Sequence, residues 1–213
     1  ICEAVTRPNM RFVAIKSIEQ QSVLAMHRMR AQLMRHRTRL ANTMRAHLAE
    51  FGLVAPIGRM GLERLMHIIW DEKDDRITPL VRRALGHLAN QFDQLQMQIL
   101  DLDRQVLAWH RSSEVSRRLA TIPGVGPLVA SALAASIGNA SEFRSGRALA
   151  AWLGLVPRQN SSGGKERLGG ISKRGDGYLR SLLVAGSLAL IRYAQRNGTR
   201  RPDRAPAASG RAR

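Results

Sequence analysis

One repeat of apolar residues limits the architecture of this 213-residue chain more than any other feature. Spacings of four and three alternate over nearly four heptads, through Val81, Leu85, Leu88, Phe92, Leu95, Ile99, Leu102 and Val106. A seam with a period of 3.5 residues lies along one side of an α-helix, and it must face another helix to be buried. The pattern therefore predicts a coiled-coil arm that serves assembly.

The partner of this seam is another helix of the same chain or a second subunit. The stretch Ser17–Phe51 contains no Gly or Pro and has one apolar face, formed by Met26, Met29, Leu33, Leu40, Met44 and Leu48. It could complete an antiparallel hairpin, whereas pairing of identical seams would give a homo-oligomer. The opposite face carries Arg28, Arg35 and Arg39, which either contact phosphates or are solvated.

The charge balance indicates a polyanionic partner. Lys and Arg number 34 against 16 Asp and Glu, for a net charge of +18 and a pI near 11.7. Such a surplus favours nucleic acid through the release of condensed counterions. No apolar run reaches the roughly 20 residues that span a bilayer, so no membrane is expected. Aromatic residues are only 4 % of the chain, which favours contact with a duplex backbone over base stacking.

Two minor features have alternative interpretations. The acidic stretch Asp71–Asp75 could bind magnesium, or it could stabilise the N-terminal dipole of the helix that follows Pro79. The single Cys2 excludes an internal disulfide and fits a reducing cytoplasm. None of the six histidines has the spacing of a zinc ligand set.

The turn Ile122–Pro127 contains the sequence Pro-Gly-Val-Gly-Pro and fits a helix-hairpin-helix element. Gly124 and Gly126 would let backbone N–H groups approach a phosphate without an intervening Cβ. The helix that begins at Pro127 would present the positive end of its dipole to the same anion. A packing corner that touches no ligand is the alternative interpretation.

A second candidate site is the loop Asn160–Lys165, where two serines precede two glycines. A serine hydroxyl becomes an effective nucleophile only when a base, a metal or nearby cations assist it. The cations that could hold a phosphate here are Arg158, Lys165, Arg167, Lys173 and Arg174. From the local residues alone, a flexible loop without chemistry is the simpler interpretation.

Residues 119–192 resemble the C-terminal domain of the insertion-sequence transposases that group with the Piv DNA invertase. The matching motifs are Ile122–Pro127, Ala151–Arg158, Ser161–Lys165, Gly170–Asp176 and Leu179-Arg180. The upstream arm is similar to the linker of that family. The similarity therefore covers nearly all of the chain before Gly198.

This resemblance implies a site-specific DNA recombinase with a RuvC-like N-terminal domain, whose four carboxylates bind a divalent metal such as Mg²⁺. Those carboxylates would lie before Ile1, so we expect a fragment that lacks this domain and has no cofactor of its own. The C-terminal domain would supply a serine that becomes covalently joined to DNA, with Ser162 matching the family pattern and Ser161 as the alternative. A structured RNA encoded by the same element is an implied partner.

The predicted fold is mainly α: a long coiled-coil helical arm followed by a small helical domain with a helix-hairpin-helix element. We expect residues 1–16 to end a missing domain or linker, 17–112 to form the arm, 113–197 to form the transposase domain with its serine loop, and 198–213 to be a disordered basic tail. Such a fragment would bind nucleic acid near the nucleoid without recombining it. The rivals are a non-catalytic DNA-binding assembly protein that dimerises through its arm, and an RNA-binding scaffold.

Overall fold

The computed structural model describes residues 15–197 together with Glu3, Thr6 and Arg7. These residues form a mainly α-helical structure with little strand, which confirms the predicted class. The predicted basic tail, 198–213, lies outside the described residues, as does most of the predicted segment 1–16. The chain divides into two compact units. One comprises residues up to Glu114 together with 134–138, and the other comprises 115–133 and residues from 139 onwards.

Three helices build the first unit: α1 (Ile18–Glu50), α2 (Arg59–Trp70) and α3 (Pro79–Ser112). The start of α1 is fixed by a capping box, in which Ser17 and Gln20 each accept a hydrogen bond from the backbone N–H of the other. Thr78 is the N-cap of α3, and its hydroxyl accepts a hydrogen bond from the backbone N–H of Val81. Pro79 follows at the first helical position, where its missing N–H costs nothing.

The partner of the α3 seam within this chain is α1, which runs antiparallel to it. Three side-chain pairs fix the register: Arg30 with Asp103, Arg37 with Gln96 at 2.6 Å, and Glu19 with Trp109 at 2.7 Å. Among the predicted seam residues, four are buried and the other four are half-buried. The hairpin is thus established as a packed helix pair, while supercoiling of the two helices remains a prediction.

The face of α1 that meets α3 is not the one that apolar residues alone indicate. The positions of α1 that are buried or half-buried at alternating spacings of four and three are Val23, His27, Arg30, Met34, Arg37, Ala41, Met44 and Leu48. Only Met44 and Leu48 belong to the predicted apolar face and are fully buried, whereas Met29 is 59 % exposed. The sequence pattern missed this face because polar partners on α3 compensate its polar members.

At one end of the hairpin, α2 packs on both long helices and closes a core. Its fully buried members are Met44, Leu48, Leu53, Leu62, Leu65, Ile69, Ile77, Leu85 and Ala89. Two arginines hold the loops on either side of α2. Arg45 donates to the carbonyl oxygens of Ala55, Pro56 and Gly58 at 2.9–3.2 Å. Arg82 donates to the carbonyl oxygens of Ile68, Ile69 and Asp74.

The second unit is built from shorter elements. They are α4 (Glu114–Leu119), most of α5 (Pro127–Ser136), a 3₁₀ turn (Ala140–Glu142), α6 (Gly146–Trp152), β1 (Pro157–Gln159), β2 (Leu168–Ile171) and α7 (Gly177–Asn197). The two strands correct the expectation that only short helices and glycine turns occupy this region. Among the described helices, none combines the length and the apolar composition that a membrane span requires.

Candidate nucleic-acid interface

The predicted serine loop is the turn of a β-ribbon. Strands β1 and β2 pair antiparallel, with Pro157 opposite Ile171 and Gln159 opposite Leu168. At the turn, Ser162 and Lys165 form a bridge, and the backbone N–H of Lys165 donates to the carbonyl of Ser162 at 3.1 Å. Gly163 and Gly164 between them have φ of 58° and 76°. Two successive positive φ angles define the tight hairpin turn that right-twisted strands require, and glycine adopts them without strain.

The two candidate serines have different environments. The Ser161 hydroxyl accepts a hydrogen bond from the backbone N–H of Arg167 at 2.8 Å, which ties one strand of the ribbon to the other. The Ser162 hydroxyl is exposed and makes no hydrogen bond within the described part of the chain. The neighbouring Gly163 and Gly164 each have open space where a Cβ would stand. A large substrate therefore meets no steric obstacle from the turn next to Ser162.

Cations lie on both sides of this turn. Lys165 closes the turn and Arg167 follows two residues later, and both side chains are exposed. Neither forms an ion pair with another described residue. Arg158, on β1, makes only a long contact of 3.5 Å with the carbonyl of Ser172. The ribbon thus presents three arginine or lysine side chains whose charge no acidic side chain of the described residues neutralises.

Lys173 and Arg174 follow β2 in a loop that is fixed against the end of α6. The backbone N–H of Lys173 donates to the carbonyl of Gly154 at 3.0 Å, and Lys173 itself has a positive φ of 56°. A Cβ on Gly175 would stand 2.0 Å from the carbonyl oxygen of Trp152, and one on Gly154 would stand 2.7 Å from the N of Arg174. Both glycines are required because backbone meets backbone here, and the loop holds its two cations in one place.

Arg180 has a structural role that its neighbourhood in sequence does not indicate. Its guanidinium donates to the carbonyl of Leu153 at 2.8 Å and so satisfies the end of α6. Asp176 meanwhile accepts from the backbone N–H groups of Tyr178 and Leu179, which caps α7. These two side chains position the loop of Lys173 and Arg174 relative to α6 and α7.

The glycine turn before α5 has one packed side and one open side. Gly124, with φ of 82°, lies against α7, where a Cβ on Gly186 would stand 2.1 Å from the Gly124 carbonyl oxygen. Gly126 has open space at its Cβ position. Helices α4 and α5 flank the turn, but its use as a phosphate-binding helix-hairpin-helix stays a prediction. Close packing is the role that the contacts give to Gly124.

The predicted arginine face of α1 is only partly free. The Arg35 guanidinium donates to the Gln32 side chain one turn away. Arg28 and Arg39 are exposed and make no hydrogen bond or ion pair with other described residues. A phosphate backbone would therefore meet two unpaired guanidiniums on this face.

The acidic stretch Asp71–Asp75 is organised by neighbouring arginines. Asp74 accepts hydrogen bonds from both the guanidinium and the backbone N–H of Arg76, and the side-chain bond is the main reason that its pKa is lowered to about 2. Across the described ranges, no three His, Cys, Asp or Glu side chains come together as a metal site. The contact that the structure gives to Asp74 is thus its pairing with Arg76.

Comparison with known proteins places these motifs in a family. Residues 116–201 match the model of the IS116/IS110/IS902 transposase family. A Pseudomonas aeruginosa protein named as a probable family 20 transposase is 47 % identical over 193 residues, which cover 90 % of this chain and 57 % of that protein. The transposase for insertion sequence element IS1328 of Yersinia enterocolitica is 41 % identical, covering 86 % of this chain and 54 % of that protein.

A Coxiella burnetii relative, the transposase for insertion sequence element IS1111A, is 40 % identical, with 92 % of this chain and 54 % of that protein covered. The chain thus spans about half the length of the curated relatives it matches. The matched region contains the glycine turn, the β-ribbon and the loop of Lys173 and Arg174. Through these residues the chain belongs to the IS116/IS110/IS902 family of insertion-sequence transposases.

Proposed function

We propose that this chain is the DNA-binding and serine-bearing part of a transposase, in which Ser162 attacks a phosphodiester. The observation that carries the proposal is the exposed Ser162 hydroxyl at the tip of the β-ribbon, beside two glycines and the unpaired Lys165. A nucleophile that acts on a polymer needs access and a cationic surrounding, and this turn offers both.

In the proposed step, the Ser162 Oγ forms a bond to phosphorus while the bond from phosphorus to one deoxyribose oxygen breaks. The seryl proton leaves to a base, the released deoxyribose oxygen takes up a proton, and a serine–phosphate ester joins protein to DNA. Arg167 and Lys165 would stabilise the negative charge on the phosphoryl oxygens. The family resemblance implies that carboxylates of a full-length transposase would bind Mg²⁺, and that this ion would activate the hydroxyl.

Ser162 is preferred over Ser161 because Ser161 already has a structural partner. Its hydroxyl accepts the Arg167 N–H across the ribbon, and moving it toward a phosphate would break that contact. Ser161 is thus better suited to holding the ribbon in the shape that presents Ser162.

The test is formation of covalent protein–DNA adducts by a full-length transposase that contains these residues. We expect Ser162→Ala to abolish adducts and leave DNA affinity unchanged within about twofold, since the hydroxyl adds little to a binding energy dominated by cations. Ser161→Ala is the matched control and should retain adducts at a reduced rate. Adducts that persist in Ser162→Ala would overturn the assignment.

The second candidate is a DNA-binding assembly protein without chemistry, in which the exposed and unpaired Lys165 and Arg167 would hold DNA and the helical arm would self-associate. It predicts that no serine substitution changes adduct formation, because no adduct forms. The same adduct experiment on the unsubstituted full-length protein therefore separates the two.

Partners other than DNA are part of the proposal. Self-association through the helical arm would bring two serines to two DNA strands, and a structured RNA would meet the unpaired Arg28 and Arg39. A cytoplasmic location beside the nucleoid follows from such partners. Competition between structured RNA and duplex DNA at matched salt tests the RNA partner, since both affinities fall with salt.

A further inference from the structure

The β-ribbon has two faces, and its strand pairing shows which side chains lie on each. Ser162 is the partner of Lys165 at the turn. Asn160 is the partner of Arg167, because its backbone N–H donates to the Arg167 carbonyl at 2.8 Å. Opposite residues of an antiparallel pair project to the same face, and successive residues along a strand alternate between faces. One face, the serine face, therefore carries these four side chains: Asn160, Ser162, Lys165 and Arg167.

Gly169 lies on the serine face beside two of its side chains. A Cβ built on Gly169 would stand 3.5 Å from the Cβ of Arg158 and 3.3 Å from Nδ2 of Asn160. Side chains this close across two strands share a face, so Arg158 also belongs to the serine face. The absence of a side chain at Gly169 leaves the space in which the Asn160 amide lies.

The charges of the ribbon are separated between its two faces. Gln159 is opposite Leu168, and this pair lies on the second face. Glu166 follows Lys165 on the same strand, so it lies on the second face as well. It is the only acidic residue within residues 157–171. The serine face thus carries all three cations of the ribbon and none of its carboxylates, which suits a phosphate.

Asn160 gives this face a neutral hydrogen-bond donor. Its side chain is exposed and makes no hydrogen bond with another described residue. The amide nitrogen carries two N–H groups. Asn160 lies two residues before Ser162, about 7 Å along the strand, and projects to the same side. A phosphate that contacts the Ser162 hydroxyl therefore has the Asn160 amide beside one of its non-bridging oxygens.

We propose that Asn160 is a further catalytic residue, whose amide N–H donates to a non-bridging oxygen of the phosphodiester that Ser162 attacks. The inference deepens and rests on the proposed function. As the Ser162 Oγ bonds to phosphorus and the deoxyribose oxygen leaves, negative charge grows on the non-bridging oxygens. A donor directed at one of them stabilises that charge and keeps the leaving oxygen in line with the attacking one. Asn160 transfers no proton, so the seryl proton still leaves to the base of the proposed step.

The first test is the rate of adduct formation at saturating DNA by a full-length transposase that contains these residues. We expect Asn160→Ala to lower this rate at least about tenfold, because one donor to the transition state is lost. The Kd for duplex DNA should stay within about twofold, since cations dominate the affinity. Gln159→Ala is the matched control, because Gln159 is an exposed amide on the second face, and it should change neither quantity. Equal unfolding in urea shows that the variants fold.

Sulfur at the reacting phosphate provides the second test. Each non-bridging oxygen is replaced in turn in the two phosphorothioate diastereomers, and sulfur accepts a hydrogen bond less well than oxygen. We expect the original protein to react more slowly with one diastereomer, and Asn160→Ala to reduce this preference by at least about threefold. A purely structural role of Asn160 would slow both diastereomers equally and leave the preference unchanged.

The outcomes separate this inference from the proposed function. An Asn160→Ala rate within about twofold of the original, or an unchanged preference between diastereomers, would overturn the role of Asn160 and leave that of Ser162 intact. Adducts that persist in Ser162→Ala, or that never form in the unsubstituted protein, would overturn the proposed function and the role of Asn160 with it.

Discussion

Basic side chains have different roles in the two loops around α2 and in the β-ribbon. In the first unit, Arg45 and Arg82 each donate to three backbone carbonyl oxygens and so hold the chain together. On the ribbon of the second unit, Lys165 and Arg167 form no ion pair with any described acidic residue. The basic residues behind the net charge of +18 therefore include two groups. Those of one group stabilise the fold, and those of the other are available to bind an external anion.

The comparison shows why composition alone overstates a binding surface. An arginine that donates to backbone carbonyl oxygens must break those hydrogen bonds before it can donate to a phosphate, so it gains little binding energy. An exposed unpaired lysine has only bound water and counterions to release. Stability and affinity should thus respond to different substitutions in the two regions, and the following predictions test this separation.

The largest effect is expected where the second unit fixes its cation-bearing loop by close backbone packing. Gly175→Ala places a Cβ 2.0 Å from the Trp152 carbonyl oxygen, which only a backbone shift can relieve. We expect the free energy of unfolding to fall by about 3 kcal/mol. Urea unfolding measures it, with Gly170→Ala as control because its Cβ position is open. A loss below about 1 kcal/mol would show that the loop is not held in this way.

Removal of a structural arginine should be next in size. Arg82→Ala removes the donor from two carbonyl oxygens in the last turn of α2 and from the Asp74 carbonyl in the loop that follows, and we expect a loss of about 2 to 3 kcal/mol. The neighbouring Arg83 is exposed and makes no hydrogen bond or ion pair with described residues, so Arg83→Ala should change stability by less than about 0.5 kcal/mol. Equal losses of stability for Arg82→Ala and Arg83→Ala would show that arginines bonded to carbonyl oxygens do not differ in this respect from unpaired ones.

Acid should weaken the first unit through His27, which is 1 % exposed in the α1 face toward α3. Burial first, and the nearby Arg30 second, lower its pKa from 6.5 to about 4, while Asp103 acts in the opposite direction. The unfolded chain therefore binds the proton more tightly, so stability is complete above pH 6.5 and falls as the pH drops toward 4.

We expect His27 alone to reduce the free energy of unfolding by about 2 kcal/mol between pH 7 and pH 5. Urea unfolding at both pH values should show a smaller difference for His27→Gln than for the original chain. Exposed His87, which makes no hydrogen bond or ion pair with described residues, provides the control, and His87→Gln should alter this difference less than His27→Gln does. An unchanged difference for His27→Gln would contradict a buried neutral imidazole.

The smallest effect per residue is expected for the unpaired cations. Lys165→Ala and Arg167→Ala should each weaken binding to a short DNA duplex and lower the slope of log affinity against log salt by about 1. Neither should change unfolding, because neither side chain has a partner in the described structure. Arg76→Ala is the matched control, since Asp74 already pairs with Arg76. If neither substitution on the ribbon changes the salt slope, the DNA binds elsewhere on the protein.

How far the sequence predicts this molecule depends on where the determining contact lies along the chain. The α3 seam could be predicted because all of its members are apolar and its period is local in sequence. The α1 face could not be predicted, because the half-buried Arg30 and Arg37 are satisfied there by partners that lie 73 and 59 residues away in the sequence. The strands were missed because β1 and β2 are short and exposed, so they lack the apolar alternation that marks a strand.

The candidate site shows the same division. The residue types of the serine loop and its cations are visible in sequence, together with the Gly-Gly signal of a tight turn. The different environments of Ser161 and Ser162 arise from one hydrogen bond across the ribbon, which no spacing rule indicates. The structural role of Arg180 likewise depends on the fold bringing Leu153 beside it.

The contact between Gly124 and Gly186 limits which residues related proteins can have at these two positions. A Cβ on Gly186 would stand 2.1 Å from the Gly124 carbonyl oxygen, and one on Gly124 would stand 3.2 Å from the Gly186 carbonyl oxygen. Because no residue is smaller than glycine, a larger residue at one position cannot be compensated by a smaller residue at the other. We expect the two positions to be lost or kept together among transposases that retain this packing. A relative with a larger residue at one of them should hold its turn away from α7, and this would identify divergent copies from sequence alone.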